Sequence, residues 1–555
     1  MGIRSFLKEI LFAAIVLSLS DTHSFGQNRI PWLEFRSPST AGDGGFGEAV
    51  AGVPDVNGDG IGDVVIGAPR DSSGLEQAGR VYVFSGASGL LLHTLVSPKE
   101  ERYGQFGFCV VGVSDLDGDG RGDVVVGAPY ETPRGNAHVF SGATGTLLRS
   151  LTTLPSHTYV TVFGREIAEL NDVNEDGVSD LVVGSQRGYT QRMYVFSGAT
   201  GELLRLVDSL TDNNQSNTWS LASVSDLNGD GIWEIVLGSM IDDNGSNEDA
   251  GSIKIYSGMD GSLLQTLNTP TPRSHGHFGQ SVSAIPDVDG DGRDDVLGGA
   301  PQESWPLGRV HVFSGAGNYL YPLEAPPGND GADFGRAVAG LTDIDGDGGG
   351  EIAVGADAND YLPIEPGLEG KVYIFSGKTR KLLASLQGPD TSVKHFGEYL
   401  ALIPNLRSDG KDALCVGSYA HRPDRVVPPT RAYVFDWSQL LPPLNVNIAA
   451  MIKPSSPATS EDLQCTYSTN PSANDPELSA SYRWFRNGIV LTDGMEVNGR
   501  YHTVTGAVLS HEFTSKKDVF VCEVRLSDGT HSMEARTPAV TIGNTPPTAP
   551  VVRIL

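Results

Sequence analysis

Cysteine is scarce in this 555-residue chain, with only four. That is too few for a disulfide-stapled scaffold, so ordinary apolar packing must supply the core. Basic residues are also few. Lys and Arg number 39 against 68 Asp and Glu, a formal net charge of −29, which argues against nucleic acid and anionic membranes as partners and favours cations. Beyond the first residues no apolar run is long enough to span a membrane, and no stretch shows the 3.6-residue period of an amphipathic helix. Catalytic signatures are missing too: there is no G-x-S-x-G, no H-E-x-x-H and no phosphate-binding glycine loop.

The opening MGIRSFLKEILFAAIVLSLSDTHSFGQ has Arg4 and Lys8, an apolar run from Ile10 to Leu19, and small Ser24 and Gly26 before Gln27. It predicts a secretory signal peptide over 1–26. An uncleaved anchor is the alternative, but the run is shorter than the roughly 20 apolar residues a span needs. Cys109 and Cys415 lie in apolar strand-like runs and read as buried thiols, whereas Cys465 and Cys522 share a different region and suggest a disulfide permitted by export.

What the chain has in abundance is glycine, 69 residues, and aspartate in recurring clusters. An aspartate motif begins at Asp55, Asp115, Asp172, Asp226, Asp287 and Asp343, and a decayed copy begins at Asn405, so the repeat is about 60 residues long. Phe-Gly precedes each copy, at Phe46, Phe106, Phe163, Phe278, Phe334 and Phe396, with Trp219-Ser220 as the fourth member. Gly-Ala-Pro or a relative follows, then an aromatic strand such as VYVFSG, then a tight turn and an apolar strand such as LLHTL. Four short strands per unit predict a propeller blade. Six units own a closing strand and the seventh ends at AYVFDW without one, yet WLEFRSPS at 32–39 resembles the closing LHTLVSPK at 92–99. The expectation is an all-β chain: a seven-bladed β-propeller over 30–438, whose last blade is completed by the first strand, which also removes an exposed edge.

Positions 1, 3, 5, 7 and 9 of each loop are the candidate metal ligands, with the seventh acting through its carbonyl. They are Asp55, Asn57, Asp59, Ile61 and Asp63; Asp115, Asp117, Asp119, Arg121 and Asp123; Asp172, Asn174, Asp176, Val178 and Asp180. The later loops offer Asp226, Asn228, Asp230, Ile232 and Glu234; Asp287, Asp289, Asp291, Arg293 and Asp295; Asp343, Asp345, Asp347, Gly349 and Glu351. So many hard oxygens suit calcium rather than zinc or copper, and the expectation is about six structural Ca²⁺ sites. Position 6 is glycine in every loop, where a sharp turn needs φ above zero. An EF-hand fails because its twelfth position should be Glu, and here it is Ile66, Val126, Val183, Leu237, Gly298 or Val354. Plain Asx turns could explain one loop but hardly six at fixed offsets. The seventh copy, with Asn405, Arg407, Asp409 and Ala413, is expected to hold no metal. The RGD at 121–123 reads as an accident of the second loop, since Asp123 is already its ninth residue.

Phe-Gly, then D-x-D-x-D-G-x-x-D, then Gly-Ala-Pro is the order of FG-GAP repeats, and the chain resembles the β-propeller head of integrin α subunits over about 400 residues. The resemblance implies calcium in the loop between the first and second strands of a blade. Six intact loops exceed the three or four typical of integrin heads, which puts integrin-type heterodimerisation in doubt. From about 445 the composition changes: Cys465, Trp484 and Cys522 match the Cys, Trp, Cys spacing of an immunoglobulin-like β-sandwich over 445–543, with Phe520 in the place of a corner Tyr. Residues 544–555 read as a Pro-rich linker opening a further module.

The leading function is a secreted or cell-surface, monomeric, non-catalytic adhesion or recognition protein. It would present loops opposite the calcium face to an extracellular protein or glycan, with Tyr130, Tyr189, Trp305, Tyr361 and Tyr419 as candidate stacking aromatics; blade packing is the competing role for each. The alternative class is a calcium-rich propeller polysaccharide lyase. Its candidates would be His157, His275, His277, His395 and His421, loop histidines that otherwise read as solvated.

Overall fold

The computed structural model describes residues 31–543 apart from 155–159, 188–189, 209–219, 305–306, 328–332, 357–369, 389–394, 407–411, 419–429, 437–448, 459–460, 469–478, 488, 492–494, 498–499, 503–507, 511–514 and 528–531. The expected leader at 1–26 and the segment 544–555 lie outside these residues. So do Trp219, Arg407, Asp409, Tyr189, Trp305, Tyr361, Tyr419, His157 and His421. Every regular element described is a β-strand, as short β-branched and aromatic runs between glycine turns demand. No helix is long and apolar enough to cross a membrane among the described residues.

Up to Phe435 the strands form seven antiparallel sheets, each built on four strands, and the third carries an additional short strand, Val160–Thr161. The first sheet runs Ala49–Val53, Asp63–Ala68, Arg80–Phe84 and Leu91–Leu95 in spatial order, and the fifth repeats it with Ser281–Ile285, Asp295–Ala300, Arg309–Phe313 and Tyr319–Glu324. The innermost strand of each sheet touches that of the next, and Ala49–Val53 also touches Tyr399–Ile403 of the last, so the contacts close into a ring. This is a β-propeller. Second strands are buried along their whole length while fourth strands are largely exposed, because only the middle of each sheet is covered by both neighbours.

The last sheet consists of Tyr399–Ile403, Ala413–Ser418, Arg431–Phe435 and, from the other end of the chain, Leu33–Arg36. Leu33 lies opposite Val434 and Arg36 opposite Arg431. Phe35 then packs on Phe84 of the first sheet, ring centroids 4.7 Å apart. The strand that the last unit lacks is therefore supplied by the N-terminal side, as the repeat pattern requires.

Phe-Gly and Gly-Ala-Pro prove to be two halves of one joint between neighbouring sheets. The phenylalanines are fully buried and stand edge-on to third-strand aromatics, as Phe163 does to Tyr194 at 5.4 Å. The glycine of Gly-Ala-Pro lies against the Phe-Gly carbonyl of the following unit: a Cβ on Gly127 would come within 1.8 Å of the Gly164 oxygen, and one on Gly417 within 2.3 Å of the Gly47 oxygen. Backbone occupies the space where a side chain would sit, so only glycine fits.

Beyond 445, Ala449–Lys453 and Leu463–Ser468 form one sheet with Val508–Leu509, and Ser479–Arg486 and Val519–Ser527 anchor another. The two share a core of Ile452, Leu463, Leu509, Trp484, Phe520 and Val524. Cys465 and Cys522, one from each sheet, are paired across it with Cα atoms 6.3 Å apart. Trp484 is wholly buried beside them.

Candidate metal centres

Each aspartate loop closes on its own first residue. In the first, Asp55 Oδ1 accepts the N–H groups of Asn57, Gly58 and Asp59, and Oδ2 that of Gly60 at 2.8 Å. The sixth-position glycines all have left-handed backbones, with φ from 82° at Gly60 to 88° at Gly177, as the turn requires. Burial would raise the Asp55 carboxyl, but the Gly60 and Gly58 N–H groups and the Arg121 guanidinium outweigh it and hold the group below its ordinary value.

The fifth and ninth carboxylates are fixed from further away. Asp59 Oδ1 accepts the Ile61 N–H at 2.9 Å, and the same bond recurs at the seventh positions Arg121, Val178, Ile232, Arg293 and Gly349. The Ser-Gly that ends the aromatic strand returns to the loop. Ser314 and Ser376 donate to Asp291 and Asp347 at 2.9 and 2.8 Å, while Gly86, Gly142, Gly198 and Gly315 donate N–H bonds to the ninth residues Asp63, Asp123, Asp180 and Asp295. The loop and the FSG signature thus form one unit, a link that sequence inspection did not draw.

Every ninth residue is 0% exposed. Burial pushes Asp63 and Asp123 up to about 6 and Asp295 to about 7, with the loop's own N–H donors pulling the other way. Where the ninth residue is Glu the mismatch is larger. Glu234 and Glu351 each accept one N–H, from Leu227 and Ile344, and their Oε1 atoms are buried with no hydrogen-bond partner. Glu351 is pushed up to about 9 by burial, against the Ile344 N–H and with help from Asp345, Asp343 and Asp347.

Four loops draw their acids together: Asp343, Asp345, Asp347 and Glu351; Asp115, Asp117 and Asp123; Asp226, Asp230 and Glu234; Asp287, Asp289 and Asp291. Within each group the candidate ligand atoms lie within 4.8 Å of one another. Two carboxylates that close repel by roughly 3–4 kcal/mol at an effective dielectric of about 20. Orphaned buried oxygens inside all-oxygen clusters fit a hard divalent cation. In the loops at 55 and 172 the third position is Asn57 or Asn174, and Asn57 Nδ2 reaches Asp63 Oδ1 at 3.4 Å.

The second loop's Arg121 also bridges to the first. Its guanidinium meets Asp55 Oδ2 at 2.8 Å. Asp123 is fully buried with its oxygens taken by the Leu116 and Gly142 N–H groups, so the RGD triplet is loop architecture. In the decayed seventh copy Ala413 is buried, and its neighbour Asp412, not singled out from the sequence, accepts the Asn405 N–H at 3.3 Å.

At the opposite edge a second set of polar residues went unnoticed in the sequence. In four units the acid four residues after the Gly-x-x glycine is buried against a polar third-strand residue: Asp71 with the Tyr82 hydroxyl at 2.8 Å, Glu131 with His138 at 3.1 Å, Asp242 with Lys254, Glu303 with His311 at 2.6 Å. The signal was there, an acid at fixed offset opposite Tyr, His or Lys. Around the axis a cavity of about 310 Å³ is lined by Glu48, Arg165, Glu166, Arg336 and Glu398, with Phe108 beside them. Tyr130, half-exposed, stands edge-on to Phe108 at 6.0 Å. It alone of the five proposed stacking aromatics lies among the described residues.

The family model for the FG-GAP repeat matches residues 46–84, 110–140 and 278–313. The chain carries FG-GAP repeats. Among curated proteins it is similar to human integrin alpha-IIb, 36% identical over 152 residues, covering 25% of this chain and 14% of that protein. Human integrin alpha-11 is 35% identical over 148 residues, covering 25% and 12%, and Xenopus laevis integrin alpha-4 is 30% identical over 200, covering 33% and 18%. This FG-GAP protein is therefore integrin-α-like, and the similarity spans less than a fifth of those relatives' length. Among solved structures, a chain of the mitotic checkpoint complex aligns with TM-score 0.44 and 14% identity, over 78% of this chain and 99% of that one. The Dos1 propeller aligns with 0.41 and 12%, over 70% and 81%. At those scores the fold rests on the sheets described above.

Proposed function

We propose that the chain is a secreted or cell-surface, calcium-binding, non-catalytic adhesion or recognition protein. Its integrin-α-like propeller, seven-bladed and monomeric, presents loops to an extracellular protein or glycan. An immunoglobulin-like module stapled by Cys465 and Cys522 follows it. The observation that carries the calcium reading is the cluster of Asp343, Asp345, Asp347 and Glu351, whose buried Glu351 Oε1 meets no donor. A divalent cation supplies the positive charge that such a cluster lacks, and the ligand residues would be the first, third, fifth and ninth of each loop with the seventh carbonyl. Bound calcium would act as a fastener. At a free concentration tenfold above a dissociation constant of order 10⁻⁴ to 10⁻³ M, each site adds about 1.4 kcal/mol.

Recognition is supported by similarity to integrin α subunits. A glycan and extracellular-matrix protein array probed with the full chain in millimolar calcium tests it. The expected result is selective, chelator-sensitive capture; background signal throughout would end the recognition reading, and release of unsaturated sugar products would replace it with the lyase alternative.

A further inference from the structure

Away from the aspartate loops, the fourth and fifth sheets bring together three ligand-type side chains that the sequence scatters. Asp249 ends the turn between Glu234–Ser239 and Ser252–Tyr256, and His275 and His277 lie in the connection from Leu263–Leu267 to Ser281–Ile285. A ladder of backbone bonds aligns the two segments: His275 N–H to the Glu248 oxygen at 2.7 Å, His277 N–H to Asp249 at 3.2 Å, Phe278 N–H to Ala250 at 3.0 Å. Strands alternate in direction, so this connection lies at the opposite end of the sheets from the aspartate loops.

The candidate ligand atoms of Asp249, His275 and His277 lie within 4.8 Å of one another. His275 Nδ1 sits 3.2 Å from Asp249 Oδ2. The other Asp249 oxygen, Oδ1, and His277 Nδ1 are both buried and have no hydrogen-bond partner. Buried polar atoms of this kind lose their hydration with nothing in return if left unmet. An ion pair between His275 and Asp249 would satisfy neither of them.

The backbone device is not special to this place. Tyr103, Gln105 and Phe106 bond to Glu76, Gln77 and Ala78 in the same pattern at the first junction, and Gln77, Tyr103 and Gln105 have positive φ just as Asp249, His275 and His277 do. What differs is the side chains. At the first junction the three equivalent positions carry Gln, Tyr and Gln; here the same frame holds a carboxylate and two imidazoles.

We propose that Asp249, His275 and His277 form a binding site for a zinc-class divalent ion, separate from the aspartate loops. Two imidazole nitrogens and one carboxylate suit a borderline cation such as Zn²⁺, whereas calcium prefers all-oxygen shells. Zinc takes such donors at about 2.0–2.2 Å, so the three groups close inward by short side-chain rotations. Three protein ligands leave a fourth position for water or an incoming donor.

The test is a Zn²⁺ titration, by competition with a chromophoric chelator, of the full untagged chain held in excess calcium. Wild type, His277→Ala and Asp249→Asn are compared, with Co²⁺ substitution giving a second readout through its visible d–d bands. The expected result is one equivalent taken up by wild type and at least a tenfold loss of affinity in each variant. The Co²⁺ spectrum should show nitrogen ligation in wild type only. Calcium-dependent melting unchanged in the variants would show that they remain folded. Zinc uptake equal in all three proteins, or none in wild type, overturns the proposal; if His277→Ala misfolds, the Co²⁺ spectrum of wild type still decides, since an all-oxygen spectrum refutes it.

Discussion

Glu351 concentrates the electrostatic problem of the aspartate loops in one side chain. Its carboxylate is buried, meets one N–H and faces three aspartates, so a neutral isostere should act with opposite sign in the two ionic states. Glu351→Gln is expected to raise the melting temperature in chelator, by the equivalent of about 1–3 kcal/mol, and to shrink the further gain on adding calcium. Differential scanning calorimetry with and without chelator reads both; a variant less stable in chelator would contradict the account. Glu131 shows the reverse balance. Burial would raise its carboxyl, but His138, Ser97 and Asn136 outweigh it and hold the group below its ordinary value. A carboxyl depressed on folding adds stability above the ordinary carboxylate range, which is lost as pH falls through the folded value. Glu303, held down against burial by His311 and Arg309, adds a second such term. The double variant Glu131→Gln, Glu303→Gln should therefore lose less stability than wild type between pH 5 and about 3, measured by urea midpoints in the presence of chelator.

At the scale of elements, the joint between Gly-Ala-Pro and the next Phe-Gly sets what neighbouring sheets tolerate. Gly127→Ala would drive a methyl to within 1.8 Å of the Gly164 oxygen and should cost about 3 kcal/mol or more. Gly184 occupies the same place in the third unit, where the following unit has Trp219-Ser220 instead of Phe-Gly. There, among the described residues, the nearest atom to an added Cβ is the Glu166 oxygen at 3.4 Å, so Gly184→Ala should cost less than about 1 kcal/mol. Equal costs in denaturant midpoints would show that the joint is not the cause. The pairing of a motif exception with a relaxed contact also explains why glycine recurs where it does.

For the whole molecule, closure rests on a strand borrowed from the other end of the chain, and the calcium proposed for the aspartate loops would add to it. If all six loops bind calcium as proposed, six terms of about 1.4 kcal/mol each would be comparable to the ~5–15 kcal/mol that holds an ordinary domain together. Chelation is expected to lower the propeller's melting temperature by about 10 °C; a shift of a degree or two would mean that the loops stand without ions. Deleting residues 31–37 should expose the edge of Arg431–Phe435, which Leu33–Arg36 covers, and promote self-association. Sedimentation velocity would detect it, and a monomer as stable as the parent would argue against closure by this strand.

Strand class, the seven repeated units, the glycine turns and the acids of the loops were legible in the sequence, because each depends on local backbone geometry repeated at a constant interval. The borrowed strand was legible too, since one unit was short and one segment was spare. Other features depended on contacts across many residues and came only from the tertiary structure. The FSG turn reaches back to the ninth carboxylate, Arg121 crosses to Asp55, and buried acids such as Glu131 pair across strands. His277, which read as a solvated loop residue, instead stands beside Asp249 with buried polar atoms of both unmet, and His275, exposed as expected, joins them. Sequence records which residues recur, but side chains from different connections meet only where the ring has brought their backbones into register.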